Sequence, residues 1–224
     1  VGHSFGGALL CCAAAQRPDL FEKLVIVDPP MFAPATRVAA FIASSFVAAQ
    51  HWHPLVKGAL RRKSVWLSRE EARKYLTTRG VFKHMHSESL DAFVEHALTS
   101  FENESTVVEE AKGSKVKLVF PPAAEAAIFA TFPLDLPVVT NETRRVGQYD
   151  LDAAYANKKK NSSAGWLLYS SQHTLISRTD VSYLQKQITS LQFRAFDQGH
   201  FWPLEDPDTF CETVDQLLST PQTP

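Results

Sequence analysis

The stretch Val1-Gly2-His3-Ser4-Phe5-Gly6-Gly7 decides how this chain reads. It contains Gly-x-Ser-x-Gly, a pattern that sets a serine on a sharp strand-to-helix turn with its side chain forced out of the backbone. Gly2 and Gly6 are spaced so that no Cβ blocks the approach of strand and helix around Ser4. The run from Ala8 to Gln16 is small and apolar, as fits a helix buried against a sheet. A five-residue match recurs by chance. Here its weight comes from the fitting helix, the strand after it, and a distant Gly199-His200.

Outward from this turn, Arg17-Pro18-Asp19 ends the helix, and Leu24-Val25-Ile26-Val27 is an apolar run without alternation. Such a run is expected of a strand buried on both faces of a parallel sheet. Asp28 stands at its carboxyl end, where functional groups of open α/β sheets gather, and Pro29-Pro30 stops it. Residues 31–100 read as helical. Residues 38–47 are apolar nearly all round, as a buried helix or a cavity lining would be. Ser68 with Glu71 forms a capping box that opens a helix to about Thr78, and residues 87–98 carry Leu90, Phe93, Val94 and Ala97 on one face.

Residues 115–120 alternate as a short strand or connector, and Pro121-Pro122 opens a helix over 123–129. Residues 133–163 read as a linker or loop region. Residues 165–169 form a buried strand, 180–189 a helix, 191–196 a last strand, and 206–219 a closing helix. Strands alternating with helices imply an α/β fold with a parallel sheet flanked by helices. The domain reading is a core from 1–30 and 164–224, with a helical cap over 31–132.

Composition narrows the classes. The 224 residues carry 23 basic and 24 acidic side chains, so no charge argument favours nucleic acid or a membrane surface. Three cysteines, two adjacent at Cys11 and Cys12, make no disulfide framework. No apolar run approaches the roughly 18 residues of a transmembrane helix. The chain opens without methionine directly on the serine turn. It therefore reads as a piece whose N-terminal part is missing, and targeting cannot be read from it, with the cytoplasm as the default compartment.

A serine hydroxyl is a weak nucleophile at neutral pH and needs a histidine to take its proton and an acid to orient that histidine. Ser4, Asp28 and His200 follow in the chain order Ser, acid, His usual for this turn type. The backbone N–H of Phe5 supplies one oxyanion donor, and the second normally comes from a loop well upstream of the nucleophile. His51 with His53, and His84 with His86, lie two apart. Metal binding takes three or four convergent ligands and nothing completes either set, so no metal is expected. His3 reads as a packing and hydrogen-bonding residue, and His173 as a loop residue. Three Asn-x-Ser/Thr sites, at Asn103, Asn141 and Asn161, read as chance matches.

With these residues in view, the chain resembles the C-terminal two-thirds or so of an α/β-hydrolase. Residues 2–7 are similar to that family's nucleophile elbow. Gly199-His200-Phe201-Trp202-Pro203-Leu204-Glu205-Asp206-Pro207 is similar to its histidine loop. Residues 68–72, Phe82, residues 94–98, Pro121-Pro122 and residues 125–129 resemble the helical cap of esterase- and lipase-like members. One departure stands out. The family's acid commonly follows the penultimate strand, but here that strand runs into Ser170-Ser171-Gln172-His173-Thr174 with no carboxylate. Asp28 matches a minority arrangement, with the acid after the preceding core strand, and is preferred. Asp180, or a dyad assisted by water, is the alternative.

The resemblance implies a serine hydrolase of carboxylic esters or related acyl groups, using no cofactor. Its substrate would be small and apolar, in keeping with Phe41, Phe46, Phe82, Phe93 and Phe101 in the cap. Serine at the elbow argues against epoxide hydrolysis and dehalogenation. C–C bond hydrolases and acyltransferases share the elbow. The activity is expected of the parent protein, with the fragment alone weakly active or inactive. The other reading is a truncated, non-catalytic homologue that acts as a binding or partner-dependent module: a sheet lacking its early strands would expose an edge and an apolar face.

Overall fold

Leu24–Val27 (β2) lies at the centre of the core because its side chains find apolar partners on both sides. Leu24 and Ile26 pack with Cys11, Ala14, Leu167 and Leu184 on one face. Val25 and Val27 pack with Trp166, Leu168, Trp202, Val214 and Leu217 on the other. All four β2 side chains are fully buried, which is why the strand shows no polar alternation. The structure is a computed structural model and describes residues 1–36, 54–101, 115–135, 165–172, 175–189 and 191–220.

Two compact units divide the chain: Val1–Ile42 with Leu134–Trp202 and Asp208–Pro224, and Ala43–Pro133 with Pro203–Pro207. The first holds a parallel sheet in the order β1-β2-β6-β7, formed by Gly2–His3 (β1), Leu24–Val27, Gly165–Ser170 (β6) and Leu191–Phe196 (β7). Helix Phe5–Gln16 (α1) follows β1 directly and ends at Arg17, whose N–H reaches the Ala13 carbonyl. Helix Arg178–Gln187 (α6) joins α1 on the Leu24 and Ile26 face, and Pro207–Ser219 (α7) covers the opposite one. Gly165 pairs with Leu24, and a Cβ there would lie 2.0 Å from the Leu24 carbonyl oxygen, so β6 can begin this close to β2 only with glycine.

The second unit departs from its all-helical expectation. Besides Pro54–Leu60 (α2), Arg69–Leu76 (α3), Ser87–His96 (α4) and Pro122–Asp135 (α5), it contains a three-stranded antiparallel sheet. Its order is β3-β5-β4, from Val65–Trp66 (β3), Val116–Leu118 (β5) and Leu98–Ser100 (β4). β5 falls within residues 115–120, which alternate as a short strand would, whereas β3 and β4 carry too little alternation to be read in a sequence. Leu98, expected at the end of α4, therefore opens β4 instead.

The helix ends of this unit are held by side chains. Ser68 accepts the Glu71 N–H, but Glu71 turns to Leu67 N–H and Lys63 rather than back to Ser68, so only half of the expected capping box forms. Arg69 donates to the carbonyls of Val94, Glu95 and Leu98, placing a cation where α4 exposes unpaired oxygens. Phe82 and Phe93 meet at 4.8 Å within the unit's own core, together with Trp66, Leu76 and Leu90. Both therefore belong to that unit's core. Residues 133–135, expected to open the linker, instead continue α5. The rest of that linker over 136–163, the predicted apolar helix over 38–47, Phe41, Phe46, His51, His53, His173 and the three Asn-x-Ser/Thr sites lie outside the described residues.

Candidate active site

Ser4 is where β1 becomes α1. Its N–H donates to the Val27 carbonyl (2.8 Å), as a strand residue would, and its carbonyl already accepts from Gly7 and Ala8, as a helix start would. Satisfying both within one residue forces φ to 53° and ψ to −127°, a region that non-glycine residues rarely occupy and that costs about 1–3 kcal/mol. Serine at a helix N-cap ordinarily turns its hydroxyl onto the first-turn N–H groups. Here no such bond forms, and the hydroxyl is left to another partner.

That partner is His200. Its Nε2 lies 3.0 Å from Ser4 Oγ, and its Nδ1 lies 2.7 Å from Asp28 Oδ2. Asp28 is fully buried and stands one residue beyond β2, where its N–H donates to the Leu168 carbonyl (2.7 Å). Its φ is 41°, and among the described residues only Ser4 and Asp28 are non-glycine with positive φ. The two strained residues are thus the two that meet the same imidazole. An Nδ1–H donated to a carboxylate leaves Nε2 unprotonated and able to accept from the serine hydroxyl.

Glycine serves this turn differently from the sequence expectation. A Cβ on Gly2 would lie 2.8 Å from the Gly6 carbonyl oxygen, and one on Gly7 would lie 2.9 Å from the Gly2 carbonyl oxygen and 3.2 Å from Ile26. A Cβ on Gly6 would meet nothing within 4 Å. The close crossing of β1 and α1 therefore depends on Gly2 and Gly7, while Gly6 faces open space. Phe5 occupies the first position of α1, so its backbone N–H belongs to the electropositive end of that helix.

The alternative acid, Asp180, does not reach His200. It is buried in the first turn of α6, where Oδ1 accepts from Ala33 N–H (2.8 Å) and the Thr36 hydroxyl (2.7 Å). Its Oδ2 accepts from the N–H and hydroxyl of Ser177, closing a capping box. Burial alone would raise its pKa, but these four donors outweigh burial and hold it below the ordinary carboxylate range.

Three site features were not legible in the sequence as functional. His3 sends Nε2–H to the carbonyl of His200 (2.7 Å), with the two rings 4.8 Å apart. Burial lowers the His3 pKa, with the bond to the His200 carbonyl opposing that shift. Ser170, fully buried at the end of β6, donates to the Gln198 carbonyl (2.7 Å). Its own N–H approaches Asp28 Oδ1 at 3.5 Å. The missing carboxylate after β6 was the one available sign that this turn differs. Among the described residues no group of three or more His, Cys, Asp or Glu could hold a metal ion, and no helix is long and apolar enough to cross a membrane.

Known proteins share this arrangement of chain. No family model matches. Abhydrolase domain-containing protein ACTT2-1 of Alternaria alternata is 25% identical over 234 residues, covering 96% of this chain and 80% of that protein. The sn-1-specific diacylglycerol lipase ABHD11 of Mus musculus is 48% identical over 46 residues, 20% of this chain and 15% of that protein. Among solved structures, the peroxisomal α/β-hydrolase Lpx1 of Saccharomyces cerevisiae superimposes with a TM-score of 0.61 at 17% identity. It covers 99% of this chain, which spans about half of its length (53%). The parallel sheet, the strained serine between β1 and α1, and these similarities lead to one conclusion: the chain has the α/β-hydrolase fold and is similar to abhydrolase-domain proteins and to esterase- and lipase-like hydrolases.

Proposed function

We propose that the chain carries the catalytic residues of a serine hydrolase that cleaves carboxylic esters or related acyl substrates through an acyl-enzyme on Ser4. One observation carries the reading: the unbroken contact from Asp28 Oδ2 through the His200 ring to Ser4 Oγ, at 2.7 and 3.0 Å. In the forward step Ser4 Oγ bonds to the substrate carbonyl carbon while its proton passes to His200 Nε2. Asp28 stabilises the imidazolium that results. The proton then leaves with the alcohol as the ester C–O bond breaks. Water, deprotonated by the same nitrogen, releases the acid and restores Ser4.

The Phe5 N–H, at the start of α1, would donate to the developing oxyanion. Each such donor is worth roughly 10²–10³ in rate. For the substrate we favour a small apolar ester, because a diacylglycerol lipase is among the similar proteins. A fluorophosphonate probe tests the reading on the whole protein: it should attach to wild type at Ser4 and leave Ser4→Ala unmarked. A wild-type protein that takes up no probe would refute it.

A further inference from the structure

The loop that carries His200 is hydrogen-bonded along its backbone. Every carbonyl from Phe196 to His200 accepts a hydrogen bond. Ser171 N–H reaches the carbonyl of Phe196 (2.7 Å), Gln172 Nε2 that of Asp197 (2.9 Å), and Ser170 Oγ that of Gln198 (2.7 Å). Trp202 N–H reaches the Gly199 carbonyl (3.1 Å), and His3 Nε2 the carbonyl of His200 itself (2.7 Å). One side of the loop is therefore held by the turn after β6 and its far end by the residue that precedes Ser4.

These donors have little freedom to do anything else. Ser170 is fully buried, and the Gln172 N–H donates to its oxygen (3.2 Å), so its own hydrogen points onward to Gln198. A carbonyl can only accept, so His3 must carry its proton on Nε2 to make its bond. The titratable groups that face His3 are His200 and Asp28. A charged His3 would set a second cation against the imidazolium that His200 must become. Burial lowers the His3 pKa and so disfavours that second charge.

We propose that His3 and Ser170 are positioning residues that fix the His200 ring between Ser4 and Asp28 by holding the carbonyls of its loop from two sides. The turn after β6 carries no acid; in this chain it carries the hydrogen bonds that set the histidine. Neither residue touches the reacting atoms. The assignment rests on the serine-hydrolase reading.

The test compares wild type with His3→Phe, His3→Gln and Ser170→Ala, using p-nitrophenyl butyrate hydrolysis with active sites counted by fluorophosphonate titration. Gln can place a neutral donor where His3 Nε2 stands, and Phe cannot. A misplacement of about 1 Å can cost on the order of 10²-fold in rate. Per active site, His3→Phe and Ser170→Ala should lose kcat on that scale with KM unchanged, and His3→Gln should recover most of the loss. The far-downfield proton resonance of the His200 Nδ1–H should be sharp in wild type and His3→Gln, and broadened in the other two. That resonance does not depend on turnover. If wild type neither takes up probe nor hydrolyses ester, the catalytic reading fails whatever the resonance shows. If wild type is active while His3→Phe and Ser170→Ala keep wild-type kcat per active site and an unchanged resonance, the positioning role is overturned. A deficit confined to a smaller active fraction would overturn it equally.

Discussion

The carboxyl ends of β2 and β6 are neighbours in one parallel sheet, yet they hold the histidine loop in different ways. At the end of β2, Asp28 takes a strained left-handed conformation and gives its carboxylate to the imidazole of His200. At the end of β6, Ser170 is unstrained and gives its hydroxyl to the backbone two residues before that imidazole. One end acts on the ring and the other on the chain that carries it. Of these two strand ends, the strained one is that whose side chain must meet a particular ring nitrogen.

The largest effects should come from the β2 end and the serine it serves. Removing the Ser4 hydroxyl should abolish probe attachment. Asp28→Asn should lower kcat by roughly 10⁴, the scale seen when another triad aspartate loses its charge but keeps its shape. Steady-state ester kinetics would check this. An Asp28→Asn protein as fast as wild type would break the contrast between the two strand ends.

The second buried aspartate supplies the complementary test. Asp180→Asn loses the charge that accepts from four donors, and should cost about 1–3 kcal/mol of stability with the capping box weakened. Its kcat per active site should stay near wild type. Denaturant unfolding of Asp180→Asn beside kinetics of Asp28→Asn separates an aspartate that holds the fold from one that serves the histidine. Because the carboxylate of Asp180 is held below its ordinary range, its stabilising contribution should be complete above the unfolded carboxylate pKa. It should disappear as pH falls through the depressed folded value.

Glycine substitutions probe the serine turn itself. Gly7→Ala pushes a Cβ onto the Gly2 carbonyl and should destabilise by about 1–3 kcal/mol. Gly6→Ala adds a methyl to open space inside a helix, and should stabilise by roughly 0.5–1 kcal/mol. Thermal melts of the pair would reverse these roles of the two glycines if Gly6→Ala proved the worse.

The smallest effect concerns His3. Its folded pKa is lowered by burial, so between the ordinary histidine value and the folded one the unfolded chain binds a proton that the folded chain refuses. Stability should fall slightly as pH drops through about 6.5 and level off below the folded value. His3→Gln should flatten that dip in urea midpoints measured across pH.

Much of this was legible in the residues. Leu24–Val27 announced a strand buried on two faces, and the Gly-x-Ser-x-Gly pattern announced a turn with an outward serine. Of the small sheet in the second unit only β5 left a trace, in the alternation of residues 115–120; β3 and β4, of two and three residues, are too short to show a period. Nor could the sequence separate Gly6 from Gly7, since which Cβ meets backbone depends on how closely β1 and α1 cross.

By itself, the sequence determined the parallel α/β core, the place of Ser4 at a strand-to-helix turn, and the order of serine, aspartate and histidine. Local pattern suffices there, since burial on both faces and the steric demand of a sharp turn act within a few residues. Only the tertiary structure decided which aspartate faces His200. It also decided that His3 and Ser170 grip the histidine loop and that Phe82 and Phe93 belong to a core. Those outcomes depend on contacts between segments far apart in the chain, and such contacts exist only once the strands have aligned.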